Sequence, residues 1–149
     1  MKKFLWGVAT GIAVSILAAG ILLSVWTSPS LDVRVEAPAS AGVGRVFLVT
    51  VFVSNPHSEA TSLGNVDIPN EFFASFEVVS VTPTATSGES PVGGFGSKTW
   101  YFDYELPPLA SENIVLEVKA IARGRHVIEF YVCNSTEECS PIAKSIEIY

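Results

Sequence analysis

The chain has 149 residues, enough for one ordinary domain, with 48% apolar residues and a formal net charge of −6. After residue 27 stand seven Lys/Arg against fifteen Asp/Glu, a net of −8 on the larger segment. An acidic surface of this kind repels phosphate backbones and anionic lipid surfaces, which argues against a nucleic-acid partner.

The first element is apolar. From Phe4 to Trp26 run 23 residues without a charge, and roughly 20 suffice for a helix to cross a bilayer core. Trp6 and Trp26 bracket the run, about 30 Å apart on a helix, so each falls at a membrane interface. Lys2 and Lys3 precede it and hold the N-terminus in the cytoplasm, which puts the rest of the chain outside. The expectation is a signal-anchor helix over 1–27 and an extracytoplasmic domain over 28–149, in a single-pass protein of the cell membrane. The competing reading is a cleaved signal peptide. Ala18-Ala19-Gly20 offers small residues for it, but Ile21-Leu22-Leu23 continues the apolar run, and no A-x-A pattern follows. Gly7, Gly11, Ser15 and Ala19 recur every four residues. Such a small-residue stripe lets another transmembrane helix approach closely, although membrane helices are rich in small residues in any case.

Beyond Ser28-Pro29-Ser30 the period changes to two. Leu31 to Glu36 alternates apolar and charged residues. Pro38 to Gly44 reads as a turn. Arg45 to Ser54 is β-branched and aromatic on both faces, as a central strand is, and Asn55-Pro56 ends it. A strand is expected over Ser62–Pro69 and another over Phe72–Val81, whose parity slips between Phe76/Val78 and Val79/Val81, a sign of a bulge or bend. Thr82–Ser97 reads as a long loop. Lys98–Leu106 carries Trp100, Phe102, Tyr104 and Leu106 on one side. Ile114–Ile121 alternates with Ile114, Leu116, Val118 and Ala120 on one face. Gly124 makes a tight turn, Arg125–Cys133 returns with Ile128, Phe130 and Val132 inward, and Ile142–Tyr149 closes the domain. About eight short strands with no helix beyond the anchor predict an all-β, Greek-key β-sandwich.

The run VFLVTVFVSNP, then WYFDYELPPLASENIVLEVKA, a Gly turn and HVIEFYV resemble prokaryotic immunoglobulin-like modules of the CARDB, DUF11 and NEW3 type over residues 31–149. Those modules share a strand ending in V-x-N, a corner of the form l-x-P-G-e-s, and a hairpin before the last strand. Here the corner reads Leu106-Pro107-Pro108-Leu109-Ala110-Ser111-Glu112 and lacks the usual Gly. The resemblance implies a spacer, adhesion or assembly module and carries over no catalytic residue.

Cys133 and Cys139 sit at the end of one expected strand and just before the next. Outside the cytoplasm such a pair is oxidised. Two thiols without a nearby His fall short of a four-ligand metal site, and the spacing is not the C-x-x-C of a redox pair. Asn134-Ser135-Thr136 matches a glycosylation sequon and equally a polar hairpin tip. His57 and His126 stand far apart. Asp103/Glu105 and Glu137-Glu138 are carboxylate pairs that solvation explains, with a weak calcium contact as the alternative for the first. No nucleophile-elbow, zinc-protease, phosphate-loop or EF-hand pattern occurs, so neither catalysis nor a cofactor is expected. In the long loop, Phe95 among glycines either inserts into a partner or folds back onto the sandwich. The leading expectation is a non-enzymatic, membrane-anchored interaction module, an accessory or assembly subunit touching lipid and other membrane proteins. The alternative is a surface ligand- or glycan-binding module using Trp100 or Tyr101.

Overall fold

A computed structural model describes residues 31–90 and 96–149. The expectations for Phe4–Trp26, with Trp6, Trp26, Gly7, Gly11, Ser15 and Ala19, and for Phe95, lie outside the described residues.

The described chain forms two sheets facing one core. Strands β1 (Asp32–Glu36), β3 (Val46–Ser54), β8 (Ser111–Ala120) and β5 (Phe76–Thr82) lie in the order β1-β3-β8-β5. Strands β2 (Ser40–Ala41), β10 (Cys139–Ile148), β9 (Gly124–Cys133), β4 (Thr61–Pro69), β7 (Ser97–Leu106) and β6 (Ser87–Ser90) lie in the order β2-β10-β9-β4-β7-β6. β3 and β8 pair in the first sheet, while the strands that follow each of them, β4 and β9, pair in the second. These two interlocked crossings are the connectivity of an immunoglobulin-like sandwich.

Alternation decides what is buried. Val49, Val51 and Val53 of β3, Ile114, Leu116 and Val118 of β8, and Ile128, Phe130 and Val132 of β9 all point between the sheets and are fully buried. Trp100, Phe102 and Leu106 of β7 and Ile146 and Ile148 of β10 complete the core. The outer face of β3 stays at the surface, although its residues are apolar. Phe52 is capped by the Arg34 guanidinium, 4.3 Å from the ring centre, and Leu48 is open to solvent. β3 is therefore central within its sheet but covered on one face only.

Three segments differ from the sequence expectation. The span expected as one strand from Phe72 begins instead as a 3-10 helix over Asn70–Ala74. Pro69 has no N–H with which to continue the ladder, and the Asn70 N–H turns aside to the Gly96 carbonyl at 2.6 Å. The helix drops Phe72 into the core, where its ring lies 5.0 Å from that of Phe76. The strand proper starts at Phe76, and its pairing with β8 shifts register between Val78 and Ser80, where the parity slip lies. Within the expected loop Thr82–Ser97, Ser87–Ser90 adds to the edge of β7, because both the N–H and the hydroxyl of Thr86 bond the Tyr101 carbonyl. Within the expected turn Pro38–Gly44, Ser40–Ala41 pairs in parallel with Glu147–Ile148. The last two strands are too short or too polar to leave a period-two signal.

The sandwich has two distinct ends. At the entry end the chain arrives at Leu31, whose carbonyl accepts the Ser140 hydroxyl at 3.1 Å, and Asp32 lies opposite Ser54. At the far end stand the turn 42–45, the 3-10 helix, the turn before Gly124, and Tyr149.

Candidate functional site

The entry end is built around two buried asparagines. Asn55, 1% exposed, follows β3 and closes the V-x-N pattern. Its amide nitrogen donates to the carbonyls of Glu59, Leu106 and Pro107 at 2.8, 3.2 and 3.1 Å, and its amide oxygen accepts the His57 N–H at 3.0 Å. The two motif fragments that carry the family resemblance therefore touch, one side chain of the first holding the corner of the second. In that corner the Ala110 N–H bonds the Pro107 carbonyl at 3.1 Å, with Leu109 at φ 58°. This is a type II geometry with Pro108 at its second position, and its third position ordinarily takes glycine. Leu109 stands where the family has that glycine.

Cys133 and Cys139 face each other across the β9–β10 hairpin and form a disulfide, as their places at the ends of adjacent expected strands led us to expect. Asn134 organises the loop between them. Its amide oxygen accepts the N–H groups of Thr136 and Glu138 and the Thr136 hydroxyl, and its amide nitrogen donates to Glu138 at 3.1 Å. With Asn134 buried and its amide nitrogen bonded to Glu138, the nitrogen that a glycan would require is engaged in the hairpin, which favours the structural reading of the sequon. Gly64 of β4 lets this hairpin approach, since a Cβ there would lie 2.8 Å from the Asn134 carbonyl oxygen.

The remaining candidates are scattered. His57 sits in the entry-end loop and His126 at the far end of β9, so the structure does not bring the histidines together. Among the described residues no group of three or more His, Cys, Asp or Glu could hold a metal ion. Asp103, at φ 48°, lies where β7 bulges against β4 between Leu63 and Asn65, and Glu137 stands at the hairpin tip. Trp100 is buried at 7% exposure, stacked on Phe73 at 6.3 Å. It cannot serve as an outward binding platform, because even positions of β7 face the core. Tyr101, at the opposite parity, points outward.

Sequence reasoning missed two features. The outer face of the larger sheet carries a polar row in which Asp67 accepts the Asn65 amide and the Thr99 hydroxyl at 3.0 and 2.6 Å. Tyr131 beside it donates to Glu129 at 2.7 Å, a bond that raises its pKa, with the Glu129 charge adding to it. The second is a cleft of about 200 Å³ at the far end, lined by Glu71, Phe72, Phe76, His126 and Glu129 among others. It opens because β4 pairs with β9 over only Asn65–Asp67 before Pro69 ends the ladder. The His126 ring packs edge-on against Phe76 at 5.4 Å, and its Nε2 is buried without a hydrogen-bond partner among the described residues. The pattern Pro69-Asn70 was the one sequence sign of this break.

The fold is that of prokaryotic immunoglobulin-like β-sandwich modules. A cohesin module of a Clostridium perfringens family 33 glycoside hydrolase superposes with a TM-score of 0.54 at 10% identity, covering 81% of this chain and 98% of that one. A CARDB domain from Pyrococcus furiosus, solved in complex with di-metal ions, gives 0.53 at 15% identity over 81% and 89%. Escherichia coli alpha-2-macroglobulin contains a similar unit, with a TM-score of 0.54 and 14% identity over 83% of this chain and 7% of that one. No family model matches the sequence, and no curated protein matches it.

Proposed function

We propose that the chain is a non-enzymatic interaction module held on the outer side of the cell membrane by a helix over Phe4–Trp26, serving as an accessory or assembly subunit of a larger envelope complex. The carrying observation is the uncharged run of 23 residues, joined within a few residues to the entry end of a filled sandwich. The disulfide supports an oxidising compartment. The likeness in fold to a cohesin module and a CARDB domain supports an interaction role. Helix contacts through Gly7, Gly11, Ser15 and Ala19, interface anchoring by Trp6 and Trp26, and a partner contact by Phe95 belong to the same proposal. The ligand- or glycan-binding alternative loses Trp100 and rests on Tyr101 and Tyr131, which share the outer face of the larger sheet.

Washing membranes that contain the chain at alkaline pH tests the anchoring. The chain stays in the pellet, and protease added outside spheroplasts removes the domain. Release into the supernatant, or a mature N-terminus near Ser28, defeats the reading.

A further inference from the structure

Five of the domain's seven cations, Arg45, Lys98, Lys119, Arg123 and Arg125, stand at the far end of the sandwich. The acidic residues there are Glu71, Glu77, Glu129 and Glu147; Glu71 and Glu129 line the cleft, and Glu77 already lies 3.7 Å from Lys119. A domain that is strongly acidic as a whole thus ends in a local excess of positive charge. Among these cations three branched apolar side chains are exposed: Val43 at 41%, Val46 at 53% and Ile121 at 47%.

These side chains sit on a fixed frame. The Val43 N–H bonds the Tyr149 carbonyl at 3.0 Å, Gly44 bonds Ala120 at 2.8 Å, Ala120 bonds Arg45 at 3.1 Å, and Ile121 bonds Ser75 at 2.9 Å. Turn 42–45 and segment 120–122 are therefore locked to each other and to the 3-10 helix. A surface held in this way loses little conformational freedom on binding. Turns are ordinarily polar, so grouped Val and Ile side chains ringed by arginine match the apolar centre and Arg-rich composition of protein interfaces.

We propose that the far end is the docking surface, and that its partner is a protein whose contact face is acidic around an apolar centre. The proposal rests on the anchored reading above, which places the lipid at the opposite end of strands about 30 Å long and so out of reach of this surface. Charge complementarity supplies partner choice and orientation, and the apolar centre supplies the buried area.

The test uses the full chain in its own membranes, with photoreactive benzoylphenylalanine at Val43, at Ile121 and, as comparison at the entry end, at the exposed Leu109. Val43 and Ile121 give an adduct with one other protein, whose crosslinked peptide carries an excess of Asp and Glu, and Leu109 does not. Arg45→Glu with Arg123→Glu lowers the yield at least about tenfold. Arg45→Lys with Arg123→Lys retains most of it, which separates lost charge from lost fold, and Lys144→Glu leaves it unchanged. The proposal is overturned by adducts to lipid, to a second copy of the chain, or to a neutral or basic peptide, by no adduct at all, or by a yield indifferent to charge reversal. An alkaline wash of the same membranes reads anchoring separately, so loss of the chain to the supernatant defeats the anchored reading while the adduct still reports on this surface.

Discussion

Leu109 occupies a left-handed backbone conformation that costs a residue with a Cβ roughly 1–2 kcal/mol, and its side chain is exposed. Leu109→Gly therefore raises stability by about 0.5–1 kcal/mol, the gain reduced by the extra freedom of glycine in the unfolded chain; urea unfolding measures it, and a loss of stability refutes the turn assignment. Asn55 is the opposite case. Replacing it with alanine strips a donor from three carbonyls in a buried corner, which costs at least about 1–3 kcal/mol. Tyr104 supplies a pH signature. Its hydroxyl is buried with no partner among the described residues, and burial first, then the nearby Glu112 charge, push its pKa from 10.0 to about 12. Between those values the unfolded phenol has released a proton that the native one still holds. Stability is therefore unaffected below pH 10 and falls as pH rises through about 12. Tyr104→Phe removes this alkaline loss and the orphaned hydroxyl together; thermal midpoints recorded at neutral and alkaline pH show both.

At the level of elements, the β9–β10 hairpin and the middle of β4, opposite the β7 bulge, depend on each other. The disulfide joins directly opposed residues, Asn134 folds the loop between them, and Gly64 leaves room for its backbone. Cys133→Ser with Cys139→Ser costs about 2 kcal/mol on the chain-entropy estimate for so short a loop, read as a shift in denaturant midpoint. Gly64→Ala places a methyl against backbone that cannot swing aside, and costs about 1–3 kcal/mol. If the alanine variant unfolds at the wild-type denaturant concentration, the close approach is not part of the native packing. The 3-10 helix is a similar case of mutual dependence: it exists because Pro69 stops β4, and it supplies Phe72 to the core that β4 can no longer fill. The cleft beside β9 follows from the same stop.

On the scale of the whole molecule, closure of the two sheets over one core predicts that the domain folds without the N-terminal run. A chain starting at residue 28 gives a β-type circular dichroism spectrum and a single cooperative unfolding transition; a helical spectrum, or aggregation without a transition, refutes this. The inward faces of β7, β8 and β9, the bulge in β5 and the cysteine pairing were legible in the sequence, because each is written in residues that are neighbours along the chain and alternate across a pleat. The uncharged run is equally local, and the expectation of an anchor derives from it alone. What the period could not carry was everything decided between segments distant in sequence. Asn55 meeting the Leu106-Pro107 corner, Trp100 committed to the core, β2 and β6 recruited as short edges, and the gathering of cations and exposed Val and Ile at one end all depend on which strands become neighbours. That choice belongs to the packing of the two sheets as a unit, and no window of adjacent residues contains it.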